Sequence, residues 1–361
     1  MERTPELTLL LEACRAAFER RALTALALDR PVDWTHLVRL TRFHRVQGLA
    51  WQALAGLELP TDAASALSAD AQATAETNLR TAVESARILA AFQHAGVDLL
   101  FIKGLTLAAL AYGGIAAKSA IDVDLLIDAR QIGEASAALQ RLGYELAAPR
   151  GGYDRLAAWH RLRKESVWRH GEKRLEIDLH TRLADNPRLI PTIGSTSPTQ
   201  SVEIATGISL PTLRQGELFA YLCVHGASSA WFRLKWITDL AALLSQRNPA
   251  ELAELFNESQ RLGAGRAAGQ ALLLADALYG SLSEVPALRQ ALLEDSHVVR
   301  LCRSALRQVS TANPTEPRLR RFGTMRVHLT QFGLRPGWRY NLSELVRQAR
   351  VAFANAAAWQ R

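Results

Sequence analysis

The stretch that decides the fold is Leu99–Ala129, LLFIKGLTLAALAYGGIAAKSAIDVDLLIDA. It reads as strand, helix, glycine loop, strand. Val97–Ile102 is a short, nearly continuous apolar run after Gly96, which is the pattern of a buried strand. GLTLAALAY has the length of a short helix, and GGIAAKS is a loop. Ala120–Asp128 alternates, with Ile121, Val123, Leu125 and Ile127 on one face and Asp122 and Asp124 on the other. Residues i and i+2 of a strand lie about 6.5–7 Å apart on the same side. The two carboxylates therefore converge beside the strand. Carboxylates that close repel unless one is protonated or a cation sits between them. A hard divalent ion, Mg²⁺ or Mn²⁺, is the usual partner of oxygen ligands and commonly bridges to phosphates.

Downstream, ESVWRH, the turn residues GEK and RLEIDLHTRL read as a β-hairpin. Its second arm repeats the acidic alternation: Leu175, Ile177 and Leu179 on one face, Glu176, Asp178 and His180 on the other. Asp178 on an adjacent strand would complete a carboxylate site. A lone Asp-x-Asp also occurs on solvated edge strands. Here three features favour a metal and phosphate site: the β-branched and leucine setting, the two glycines before the strand, and the second acidic strand.

Around this centre the chain is helical. Pro5 to about Leu57 carries apolar residues at spacings of three and four, and Thr61–His94 reads as one long helix with Asp62 as its cap. ARQIGEASAALQRLG reads as a helix closed by Gly143, SVEIATGISL as a small strand pair, and GELFAYLCVHGASSAWFRLKWITDLAALL as two helices around a Gly-Ala-Ser-Ser turn. The expected fold class is α+β. Residues 1–60 form an N-terminal helical region, 61–214 a mixed-sheet catalytic module, and 215–361 a helical domain with a basic tail.

Composition sets outer limits. With 48% hydrophobic and 22% charged residues over 361 positions, the chain is a folded protein and not a disordered one. Cys14, Cys223 and Cys302 are far apart with no paired spacing, which points to buried thiols rather than disulfides or zinc ligands. His160, His170 and His180 recur every ten residues, which is not a zinc spacing. No window is long and apolar enough for a membrane span, and the start lacks the apolar core of a signal peptide, so a cytoplasmic location is expected. The net charge is +8. Residues 296–361 hold twelve arginines and no lysine against Glu316 and Glu344, a surplus of ten, so the preceding residues sum to about minus two.

The order of motifs resembles the nucleotidyltransferase superfamily built on the DNA polymerase β catalytic fold, and particularly a bacterial group of uncharacterised nucleotidyltransferase family proteins. The resemblance rests on FIKGLTLAALAY, KSAIDVDLLID, LEIDLHTRL, LCVHGASSAWFRLKWITDLAALL and the early FHRVQGLAWQAL, and spans Thr41 to Leu244. It implies that Asp122, Asp124 and Asp178 hold two Mg²⁺ or Mn²⁺ ions against a nucleoside triphosphate, from which a nucleoside monophosphate passes to a hydroxyl acceptor: a small molecule, peptide, protein or RNA. Lys103, Gly104, Lys118 and Ser119 are the expected donor-binding residues. Classical members carry Gly-Ser where this chain has Lys103-Gly104. Gly104 still permits close backbone approach, and the following helix N-terminus still favours phosphate.

Other residues in the matched segments have a structural and a functional reading. Glu176 is a rim residue or a substitute ligand, and His180 a hydrogen-bonded structural residue or a donor to substrate. Tyr112, His225, Trp231, Arg233, Lys235 and Asp239 either pack the core or cover the cleft. Two rival functions remain open at this level. One is phosphoryl or glycosyl transfer from a phosphorylated donor at the same metal site. The other is a non-catalytic protein whose basic C-terminal region binds nucleic acid or another anionic surface. The final helix, with Leu342, Leu345, Val346 and Phe353 among arginines, fits packing, dimerisation or an acidic lipid surface equally.

Overall fold

A computed structural model describes residues 3–23, 30–150, 152–316 and 324–359. The tail arginines at 318, 320 and 321 and the side chain of Phe353 lie outside the described residues. The chain opens with helices α1 (Pro5–Glu19), α2 (Trp34–His44) and α3 (Gln47–Leu54), followed by α4, which runs unbroken through Thr61–His94. Thr4 and Asp33 cap α1 and α2 by accepting backbone N–H groups of Leu7 and His36. The expected cap of α4 is corrected. Pro60 is its N-cap residue, and Asp62 sits inside the first turn, where its charge favours the helix N-terminus.

The α/β centre then follows as β1 (Leu99–Phe101), α5 (Leu105–Tyr112), β2 (Asp122–Ile127), α6 (Ile132–Arg141), β3 (Glu145–Ala148), α7 (Leu156–Leu162), β4 (Glu165–His170) and β5 (Leu175–His180). The five strands form one mixed sheet in the order β1-β2-β5-β4-β3. β2 and β5 are parallel neighbours, and every other pairing is antiparallel. Their register places Asp122 opposite Glu176 and Asp124 opposite Asp178. A separate hairpin, β6 (Thr199–Ala205) and β7 (Ile208–Leu213), precedes the helices α8 (Gln215–Ser228), α9 (Leu234–Leu244), α10 (Pro249–Arg261), α11 (Gly265–Tyr279), α12 (Pro286–Glu294), α13 (Ser296–Val309), α14 (Met325–Gln331) and α15 (Trp338–Trp359). The fold is α+β.

Two cores lie on opposite faces of the sheet. Val123, Leu125, Ile127, Ile177 and Leu179 pack with Ile88 and Phe92 of α4, with Ala135 and Leu139 of α6, and with the β6–β7 hairpin. The other core joins the first helices to the last: Leu10 and Cys14 of α1 share it with Tyr221 of α8, Leu240 of α9 and Leu272 of α11. Leu100, Ile102 and Leu126 of the sheet belong to this second core. Because Leu126 shares a strand face with Asp122 and Asp124, the carboxylates project into the layer where N-terminal and C-terminal helices meet the sheet.

Candidate active site

Asp124 is the buried centre of the site, only 2% exposed. Its Oδ1 receives the Lys103 ammonium at 2.7 Å and lies 3.1 Å from His180 Nε2. Its Oδ2 has no hydrogen-bond partner among the described residues. Burial opposes the charge on Asp124, but Lys103 and His180 outweigh it and hold the carboxyl well below the usual carboxylate range. Lys103 answers in kind. Burial works against its charge, and Asp124, Tyr221 and Asp122 keep the ammonium protonated, well above its ordinary value.

The strand before α5 and the turn into it deliver Lys103. Thr106 Oγ1 donates to the carbonyls of Phe101 and Lys103, both at 3.2 Å, and Gly104 adopts φ +69°, which a side chain would strain. Lys103–Thr106 and Asp122–Asp124 also line a small cavity of about 10 Å³, together with Thr81 and Ser85 of α4 and Leu210 of β7.

Asp178, Asp124 and His180 each offer a ligand atom within 4.8 Å of the others. Asp122 is outside this trio, half-buried one strand position earlier on the same face. Asp178 behaves oppositely to Asp124. Burial, then the charges of Asp124, Glu165 and Asp122, push its carboxyl up to about 8, and Lys103 is the cation that opposes them. Three carboxylates pressing on a fourth, with one ammonium in reply, is an arrangement that favours an added cation. Together with the orphaned Asp124 Oδ2 and a hard-oxygen donor set, it fits a divalent metal held by Asp124 and Asp178, with His180 beside them and Asp122 within electrostatic reach.

Glu165 and Tyr221 also belong to this site, and sequence reading missed both. Glu165 opens β4 opposite His180, and its Oε2 comes to 3.2 Å from His180 Nδ1 without the alignment of a hydrogen bond. Lys164 pairs with the same oxygen at 2.5 Å. Burial is overcome by Lys164 and His180, and the Glu165 carboxyl drops to about 2. The buried Tyr221 hydroxyl has no partner among the described residues and feels Lys103, Asp124, Lys164 and Glu165. The signal for Glu165 was its place on the β4 arm of the quoted hairpin. Tyr221 sits in an apolar helix and carried none.

A second group of cations lies near Asp122. Lys118 is buried and pairs with Asp239 at 3.3 Å, and Tyr112 donates its hydroxyl to the same aspartate at 2.8 Å. Ser119 follows on the same segment, which Asn78 of α4 pins by donating to the carbonyls of Ile115 and Lys118 at 2.5 and 2.7 Å. His44 Nδ1 accepts from Leu234 N at 3.1 Å, and Arg233 donates to the Phe43 carbonyl. These two contacts set Arg45 beside Lys235. Burial pushes Lys235 down to about 7, aided by Lys118, Arg45 and Lys103, while Asp122 pulls the other way. Arg45 was missed in the sequence, although it stands inside the quoted FHRVQGLAWQAL segment. The structural reading holds for Trp231, whose fully buried ring occupies the space a side chain at Gly226 would need.

A family model described as "Uncharacterised nucleotidyltransferase" matches residues 30–280, a span that contains the acidic site and the cations beside it. The chain belongs to that family. The match covers the acidic strands, the Lys103–Gly104 turn and the helices over them, and so ties the buried Asp124–Asp178–His180 cluster to a nucleotidyltransferase family. No match is found among curated proteins. No helix among the described residues is long and apolar enough to cross a membrane.

Proposed function

We propose that the protein is a divalent-cation-dependent nucleotidyltransferase that moves a nucleoside monophosphate from a nucleoside triphosphate to a hydroxyl. The observation that carries this reading is the opposed pair Asp124 and Asp178 on parallel strands, together with His180 and an unpaired carboxylate oxygen. Family membership supports it. Mg²⁺ or Mn²⁺ would be held by Asp124 and Asp178, with Asp122 contributing from the same strand face, and would supply Lewis-acid neutralisation of phosphate charge.

The chain's own residues divide the remaining work. Lys103 keeps Asp124 ionised and offers a cation at the Gly104 turn, where the N-terminus of α5 favours phosphate. Arg45, Lys235, Lys118 and Ser119 would receive the rest of the triphosphate. Lys235 sits among other cations, so an arriving anion relieves repulsion there. Asp178 would take the proton of the attacking hydroxyl. Pyrophosphate leaves as the new oxygen–phosphorus bond forms.

Label transfer in host extract with Mg²⁺, using α- and γ-labelled triphosphates, tests the reading. Transfer of the α label that disappears in Asp122→Asn/Asp124→Asn supports it. Transfer of the γ label alone replaces it with phosphoryl transfer. Transfer of neither label, with no metal-dependent nucleotide binding, removes the triphosphate donor altogether.

A further inference from the structure

A cleft of about 520 Å³ opens beside the exit of β5, and arginine dominates its lining. One wall is α7 and the residues after it, from Trp159 to Arg163. The other is α15, from Trp338 to Val351, and Arg182–Arg188 forms the base. Each wall carries an arginine over a tryptophan: the Arg163 guanidinium lies 5.5 Å from the Trp159 ring centre, and that of Arg339 lies 5.5 Å from Trp338. Trp338 is 70% exposed. Arg161, Arg163, Arg188, Arg339 and Arg350 form no ion pair with a described residue, and Asp185 is the one acid in the lining.

The α15 wall is tied to the base. Asn186 donates to the fully buried Glu344 of α15 at 3.0 Å, and Ser343 donates to Asn186 Oδ1 at 3.1 Å. The cleft also shares a wall with the acidic site. Trp159 Nε1 donates to the Glu165 carbonyl at 2.7 Å, the Glu165 carboxylate faces His180, and Arg182 stands two residues beyond His180.

We propose that this cleft binds single-stranded nucleic acid and that the strand's terminal hydroxyl is the acceptor. The second half rests on the nucleotidyl-transfer reading; the first does not. Unpaired guanidiniums match phosphate oxygens two at a time, and the exposed Trp338 ring, with the half-buried Trp159 on the other wall, offers faces on which unpaired bases stack. An acidic peptide would use the arginines and leave the tryptophan faces idle. A walled cleft suits a strand better than a flat lipid surface. In the transfer, the terminal hydroxyl oxygen bonds to the α-phosphorus while the bond from that phosphorus to the bridging oxygen breaks. Pyrophosphate departs with the electron pair, and the hydroxyl proton passes to the Asp178 carboxylate and on to water.

Fluorescence anisotropy of the full chain with a labelled single-stranded RNA of about ten nucleotides, from about 50 to 200 mM salt, measures the site directly. Binding should weaken with salt. Trp338→Ala and Arg350→Glu, both at exposed positions, should each weaken it about tenfold, with a shallower salt dependence for Arg350→Glu. Absence of binding at the lowest salt, equal binding by both cleft variants, or equal competition by polyglutamate of matched charge would each overturn the proposal. Adding α-labelled triphosphate separates the two readings. Label on the oligonucleotide supports the acceptor half. Binding without such transfer overturns that half and leaves the cleft as a nucleic-acid site. Transfer to another acceptor without oligonucleotide binding overturns the cleft and leaves the transferase reading in place.

Discussion

The acidic strand pair and the arginine cleft are neighbours that handle charge in opposite ways. On β2, β5 and β4 the charges are buried: Asp124 is answered by Lys103 and Glu165 by Lys164, while burial and its acidic neighbours push the Asp178 carboxyl up to about 8. Between α7 and α15 five guanidiniums form no ion pair among the described residues, and Asp185 is the one acid in the lining. Buried charge must be compensated for the chain to fold, whereas exposed charge is tolerated and left available to a ligand. The first arrangement is set by folding, and the second is shaped for something outside the protein.

Replacing one residue from each region should expose this difference. Asp178→Asn removes a carboxyl that repels its neighbours, so α-label transfer should fall about a thousandfold while the melting temperature stays level or rises. A large loss of stability in that variant would mean that Asp178 is a structural group. Lys103→Met should cost about 3 kcal/mol in urea unfolding, because it leaves Asp124 buried without its cation. A cost near zero would show that His180 alone satisfies Asp124.

Buried and exposed groups should also part company on acidification. His44 is pushed down to about 3, by burial and then by Arg233, and His160 to about 4, by burial and then by His180 and Arg182. Both rings are neutral in the fold, while their unfolded forms take up protons below about 6.5. The stability these two rings contribute is therefore intact above that pH and declines as pH falls toward 4, with a slope approaching about 1.4 kcal/mol per pH unit for each ring, and Asp178, whose carboxyl is raised to about 8, offsets one ring's share over the same range. A flat melting temperature between pH 7 and pH 5 would contradict this. Arg161→Ala and Arg350→Ala should each change stability by less than about 0.5 kcal/mol.

Sequence made the acidic region readable and the cleft nearly invisible, for a physical reason. Strand alternation has a period of two and is a local property, so Asp122, Asp124 and Asp178 could be assigned to faces from a few residues each. The parallel pairing that sets Asp124 opposite Asp178 follows from the sheet order, as does the arrival of Glu165 at His180 from β4. The cleft draws its lining from residues 159–163, 182–188 and 338–351, and no short window contains it. The twelve arginines of the last segment announced a basic surface but not its facing wall on α7. At the start of α4 the local signal misled, because Asp62 has capping chemistry but lies one residue inside the helix.

The single amide of Asn78 grips two carbonyls three residues apart and accepts the Ala120 N–H at 3.4 Å. The connection from α5 to β2 is thereby gauged against a long rigid helix, and its residue count cannot change between Ile115 and Ala120 without releasing that grip. Homologous chains will keep this connection at constant length. Insertions will instead accumulate in segments such as 187–198, where the backbone between β5 and β6 is not measured against α4.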